Sequence, residues 1–210
     1  MTVDPGEAHL ENHTVNARDS LGSVLRPAAL LFAVMTVVTG LLYPLAITGI
    51  ARALFPDQAG GSLLVHGGRL VGSRLIGQSF TDPGHFWSRP SATAPQPYNG
   101  TASGGSNFGP MNSSLTDAVK LRIDALRAAD PDNAAPIPVD LVTASGSGLD
   151  PEISLAAANY QAARVARVRH LSSETLRTLI AVHAKGSVLG VIGEPRVNVL
   201  ELNLALDALK

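Results

Sequence analysis

The chain contains no cysteine. That excludes a disulfide scaffold, a thiolate metal site, an iron–sulfur cluster and a cysteine nucleophile. It leaves the compartment open, because an exported domain can do without disulfides. Aromatic residues make up only 4% of the chain, so a soluble core must be built from Ala, Val, Leu and Ile. Charge is scarce and balanced: 16% of residues are charged, with a net charge of −1 over 210 residues. No basic stripe offers a footprint for nucleic acid, and no nucleic-acid partner is expected. The three lysines, Lys120, Lys185 and Lys210, lie outside any glycine-rich context, and no phosphate-binding P-loop is present. No Asp/Asn-rich loop has calcium spacing. His9 and His13 are spaced for one face of a helix, but Asp4-Pro5-Gly6 and Glu11-Asn12 disfavour a helix there, and no metal site is expected.

The apolar residues are unevenly spread. Residues 27–51 are 25 consecutive positions without a charge, closed by Arg26 and Arg52. As a helix this run reaches roughly 37 Å, against about 30 Å for the hydrocarbon core of a bilayer. Thr36, Thr39 and Thr48 can bond back to the helix backbone, and Gly40, Pro44 and Gly49 are tolerated in a membrane. Phe55 sits where an interfacial aromatic belongs. The run reads as a retained single-pass transmembrane helix over 26–52. Two alternatives stand beside it. One is a buried core helix, which is normally shorter. The other is a cleaved signal peptide, for which Ala51-Arg52-Ala53 offers a cleavage site; its apolar region, however, would be only about 7–15 residues long. The flanking charges, Arg18 and Arg26 against Arg52 and Arg69, nearly tie, so charge leaves the orientation open.

Residues 1–25 are polar and aperiodic and read as a disordered tail. Residues 57–210 read as a single small soluble α+β domain. Residues 62–66 and 69–73 flank Gly67-Gly68 as a β-hairpin, weakly continued by Leu75-Ile76-Gly77-Gln78. The stretch 81–114 is dense in Pro, Gly, Ser and Asn, yet holds Phe86, Trp87, Tyr98 and Phe108, four of the chain's nine aromatics. A loop of this length is either disordered or functional. Its rings argue for an extended loop docked by them and suited to a partner surface.

A helix is expected after the capping box Ser114-Leu115-Thr116-Asp117, with Leu115, Ala118, Val119, Ile123 and Leu126 on one face. A second is expected over 151–170, capped by Asp150 with Pro151 at its first position and Arg164, Arg167, Arg169 and His170 near its C-terminal end. A third is expected over 173–184, with Leu176, Leu179, Ile180 and His183 on one face. The segment 197–209 reads as helix capped by Asn198 with Glu201, although Val197 and Val199 alternate as a strand would. Residues 139–143 and 188–192 are expected as strands.

Catalytic chemistry is hard to find. Ser145-Gly146-Ser147-Gly148 lacks the G-x-S-x-G order of a nucleophile elbow, as does the stretch 104–109. Ser145, Asp150 and His183 make a triad only if the fold assembles them. Asp150 reads as a helix cap, and Glu194 with Arg196 as a turn-bracing ion pair. The residues support a membrane-anchored, non-catalytic binding domain. The alternative is a membrane-anchored extracytoplasmic hydrolase using Ser145 or Ser147, or a plain scaffold.

Several stretches together resemble the C subunit of the Kdp-type potassium-transporting ATPase, a bacterial P-type pump. They are Arg26-Pro27, Gly40-Leu41-Leu42-Tyr43-Pro44, the segment 72–78 and Arg89-Pro90-Ser91-Ala92. They continue with Ser103-Gly104-Gly105-Ser106-Asn107, the segment 139–151, Gly193-Glu194-Pro195-Arg196-Val197-Asn198 and the segment 201–207. The resemblance covers about 24–209. It implies a non-catalytic subunit of a high-affinity potassium uptake complex, needed for assembly. The partners it implies are a potassium-translocating A subunit, an ATP-hydrolysing B subunit, a small F subunit and the lipid bilayer. The Asp-Lys-Thr-Gly-Thr phosphorylation sequence of the motor subunit is absent. The resemblance places the chain in the bacterial inner membrane as a single-pass protein, with its C-terminal domain extracytoplasmic and its tail in the cytoplasm. It also implies a catalytic-chaperone role that raises the motor's ATP affinity, with ATP held in a ternary complex and Gln161 matching the family's nucleotide-linked glutamine. Those two implications pull against each other, because ATP is cytoplasmic.

Overall fold

The computed structural model describes residues 17–187 and 191–209. The chain divides into two compact units, one ending at Ala59 and the other beginning at Gly60.

The first unit is helical. Helix α1 (Ala17–Val37) passes through a π-turn (Val38–Leu42) into α2 (Tyr43–Leu54), and a single turn, α3 (Pro56–Ala59), follows. The π-turn has a local cause. Pro44 has no N–H to give to a carbonyl one turn back, and the widened turn lets the Tyr43 N–H reach Val38 O, five residues back. Thr36 and Thr39 donate to Phe32 O (2.8 Å) and Met35 O (2.7 Å), as the sequence suggested. Helix begins at Ala17, nine residues before the boundary read from the apolar run. Once a long apolar helix is nucleated, extension adds a hydrogen bond per residue fixed. The apolar stretch Gly22–Leu54 is 33 residues and long enough to cross a membrane. It spans about 50 Å. None of its most apolar window is buried by protein. Arg26 and Arg52 are about 39 Å apart along the axis, close to the thickness of a bilayer with its headgroups.

The second unit is α+β, as read from the sequence. Strands β1 (Leu63–His66) and β2 (Arg69–Ser73) form the expected hairpin. Gly67 and Gly68 both take positive φ (57° and 76°), as its two-residue turn requires. Leu75-Ile76-Gly77-Gln78 does not extend the hairpin as strand. No helix or strand then occurs until α4 (Ser113–Ala129). The cap of α4 is Asn112, whose side chain accepts from the Ser114 N–H, rather than the Ser114-to-Asp117 box. The expected apolar face is retained, with Leu126 fully in the core.

A three-stranded antiparallel sheet of order β3-β5-β4 joins β3 (Glu152–Ser154), β5 (Arg196–Asn198) and β4 (Ala184–Lys185). Helices α5 (Leu155–Arg169), α6 (Ser173–His183) and α7 (Val199–Asp207) close the core, in which Ile153, Val165, Leu176, Val197 and Leu202 are at most 2% exposed.

Three expectations are corrected here. Residues 139–143 are not a strand: Val139–Leu141 is a 3₁₀ turn, and Leu141 and Val142 are both buried where a strand would alternate. The helix expected from Pro151 starts at Leu155, capped by the Ser154 side chain, and Glu152–Ser154 pairs with β5 instead. The segment 197–209 is strand through Asn198 and helix from Val199, with Asn198 accepting from the Glu201 N–H at 3.1 Å as the capping reading required. Of the expected strand 188–192, residues 188–190 lie outside the described residues. Val191 sits in a turn and Ile192 makes an isolated bridge.

Candidate functional site

Residues 82–88 form a strap across α5 and α7, and side chains rather than strands hold it. Asn203 of α7 accepts from the Phe86 N–H and donates to Phe86 O, both at 2.9 Å. Gln161 of α5 does the same for Trp87, accepting from N–H at 2.7 Å and donating to O at 3.1 Å. Each carboxamide thereby copies a strand neighbour. Arg164 donates to Pro83 O, to His85 O (3.2 Å) and to Gln161 Oε1 (2.8 Å), and its guanidinium lies 4.8 Å from the centroid of the Trp87 ring. Burial lowers the Arg164 pKa, partly offset by Asp130 and Asp82. Arg169 donates to Gly84 O (2.8 Å) and to Asp207 (2.6 Å). Burial acts to raise the Asp207 carboxyl, but hydrogen bonds from Arg169 and His85, and their charges, hold it below the usual carboxylate value.

Beyond the strap, separate loops lock onto one another. Asp150 Oδ2 accepts from Arg89 at 2.8 Å, and its Oδ1 accepts from the Glu152 N–H at 3.0 Å. Tyr98 Oη donates to Arg89 O, and burial pushes its phenol pKa up. Ser91 Oγ donates to Gly148 O (2.7 Å), the Gly77 N–H to Leu149 O (2.9 Å) and the Gly104 N–H to Ser147 O (2.9 Å). Gly148 has φ +67°, and a Cβ there would sit 2.6 Å from Gly104 O, so both conformation and closeness require glycine. Phe86 is fully buried and Trp87 and Tyr98 partly so, whereas Phe108 remains 41% exposed.

A cleft of about 470 Å³ opens beside this cluster, lined by Arg89, Asp140, Asp150, Glu152, Glu194 and Arg196 among others. Arg196 pairs with Glu152 across the sheet and not with Glu194, because the antiparallel register brings β3 and β5 side by side. Asp140 accepts from the Ser154 N–H (2.8 Å) and Oγ (3.2 Å), fixing the start of α5. One buried polar atom near the cluster, Arg89 Nε, has no hydrogen-bond partner.

Nothing here assembles a nucleophile and its base. The Asp150 carboxylate is committed to Arg89 and a backbone N–H. His183 Nδ1 lies 2.9 Å from Leu179 O. Ser147 Oγ accepts from the Leu149 N–H. Among the described residues no hydrogen bond joins Ser145, Asp150 and His183 into a triad. Among the described residues no cluster of three or more His, Asp or Glu side chains could hold a metal.

The stretches singled out in the sequence thus come together from four places: 89–92, 139–151, 193–198 and the loop around 104. A family model for KdpC, the K⁺-transporting ATPase c chain, matches residues 25–208. The chain belongs to the KdpC family. Among its relatives, the potassium-transporting ATPase KdpC subunit of Variovorax paradoxus is 68% identical over 188 residues, covering 90% of this chain and 97% of that one. That of Polaromonas naphthalenivorans is also 68% identical, covering 90% and 96%. That of Ralstonia nicotianae is 62% identical over 189 residues, covering 90% and 93%.

Within this KdpC chain, Gln161 is 1% exposed. Its amide already serves Trp87, Arg164 and the Ala157 carbonyl (3.3 Å). Sequence reasoning assigned no role to Asn203, and Arg164, read there as a charge near a helix C-terminus, instead holds the strap. A signal for Asn203 was present: it is a lone carboxamide inside the apolar run Leu202-Asn203-Leu204.

Proposed function

We propose that this chain is a non-catalytic accessory subunit of an ATP-driven potassium uptake complex, needed for the complex to assemble and held in the bacterial membrane by its 22–54 helix. Its C-terminal domain lies outside the cytoplasm in this reading, and its partners are the potassium-translocating A subunit, the ATP-hydrolysing B subunit and the small F subunit. One observation carries the proposal. Segments around 77, 89–91, 104 and 147–150 are hydrogen-bonded into one cluster around the Arg89–Asp150 pair, and among the described residues no nucleophile is bonded to a base beside it. A surface fixed in advance loses little entropy on docking. Purification of the complex from cells making the Asp150→Ala variant tests this. Loss of the chain from the purified pump is expected, and a pump that assembles and transports as before overturns the reading.

The finer part of the proposal is that the chain raises the motor's affinity for ATP. An extracytoplasmic domain does this only through subunit contacts. Gln161 then contributes by holding the strap, since a direct nucleotide contact would break four hydrogen bonds. ATP titration of pumps with and without the chain tests it. Half-saturation at higher ATP without the chain is expected, and an unchanged value removes this part.

A further inference from the structure

The β1–β2 hairpin has two unlike faces. On the inner face Leu64 pairs with Gly72, and a Cβ at Gly72 would sit 2.9 Å from Leu200 of α7. On the outer face Val65 pairs with Leu70; the register shifts between Leu64 and Val65, and Leu63, two residues before Val65, is exposed as they are. Leu63, Val65 and Leu70 are 50%, 66% and 63% exposed, and Leu75 just beyond the hairpin is 62% exposed. Four bare aliphatic side chains within thirteen residues are unusual for a small water-facing hairpin.

Two observations say what covers this face. The first is chain length. Only residues 55–62 join Leu54, the end of the apolar helix, to Leu63. Fully extended they reach about 30 Å, and α3 winds up four of them. The hairpin therefore stays within a short tether of whatever holds the helix. The second is charge. Residues 58–81 contain no Asp or Glu, and of their two arginines Arg74 is paired with Glu201 at 2.7 Å, so Arg69 is the cation that edges the hairpin. Arg69 is exposed at the turn, next to Leu70. Bare aliphatic groups edged by a cation match the boundary between acyl chains and anionic headgroups.

We propose that the outer face of the hairpin docks on the bilayer surface, with Leu63, Val65 and Leu70 at the headgroup–acyl boundary and Arg69 at lipid phosphates. This rests on the membrane placement of the helix and is independent of the pump reading. The absence of cysteine makes the test clean, because an introduced cysteine is the sole labelling site. Full-length chains carrying Val65→Cys, Leu70→Cys or Val182→Cys are each spin-labelled and placed in nanodiscs of phosphatidylethanolamine and phosphatidylglycerol. Val182, 74% exposed on α6, is the water-facing reference. The labels at 65 and 70 should be several-fold more accessible to oxygen than to a water-soluble nickel chelate, and the label at 182 should show the reverse. Labels at 65 and 70 as open to the chelate as that at 182 overturn the proposal. So does shielding that appears only when the other pump subunits are added, which would make the cover a protein.

Discussion

The 22–54 helix and the 60–210 domain draw on the same kinds of apolar residue and place them oppositely. In the helix Leu30 and Phe32 are 67% and 75% exposed, while in the domain Leu202 and Phe86 are fully buried. A mean hydropathy of +0.18 averages over both and describes neither. The lesson is that apolar content reports on the solvent as much as on the core. The helix is stabilised by its surroundings and its own backbone bonds, the domain by its packing. The two should therefore respond to different insults.

The largest effect is expected in the domain. Phe86→Ala removes a fully buried ring that anchors the strap, and should cost about 3–5 kcal/mol. Thermal unfolding of the domain, read by circular dichroism in nanodiscs, checks it. A loss under about 1 kcal/mol would mean the strap is not part of the core. Val34→Arg inverts the comparison. It should cost about 2.5–3.5 kcal/mol of membrane insertion and leave the domain's unfolding temperature unchanged. The membrane-bound fraction in cells is the readout.

Gln161→Leu keeps the volume but leaves the Trp87 N–H and O without partners, at about 1–3 kcal/mol. Faster proteolysis within 82–88 at unchanged helix content is the expected sign. The smallest effect is the titration of Asp207. Its folded pKa lies below the ordinary value of about 4. Its contribution is therefore present above that value and lost as pH falls through the folded one. Asp207→Asn should flatten the acid limb of the stability curve and leave neutral pH little changed, since the side chain is 36% exposed and screened.

Features set by neighbours in sequence were legible. The uncharged run 27–51, the Gly67-Gly68 turn, the apolar faces of α4 and α6 and the Asn198–Glu201 cap are short-range patterns, and they hold. What failed depended on distant partners. Pro151 has the signature of a helix start, but pairing of Glu152–Ser154 with Arg196–Asn198 outbid it. Residues 139–143 have strand composition, but Asp140 is recruited to hold the start of α5 and the segment turns. The site followed the same division. The motif stretches stood out individually, while the Arg89–Asp150 pair, the Arg196–Glu152 pair and the two carboxamide clamps bridge residues from 44 to 117 positions apart.

By itself the sequence determined that one long uncharged run would form a helix able to cross a membrane, that an α+β domain would follow, and which family the chain resembles. Those properties are additive along the chain: each residue contributes its hydropathy, propensity or motif identity whatever lies far away. Tertiary structure alone decided that Gln161 and Asn203 hold a strap, that Asp150 pairs with Arg89 instead of capping a helix, and that the hairpin's outer face stays bare. Those depend on which groups closure of the fold brings within hydrogen-bonding distance, and that energy belongs to pairs of residues, not to either one.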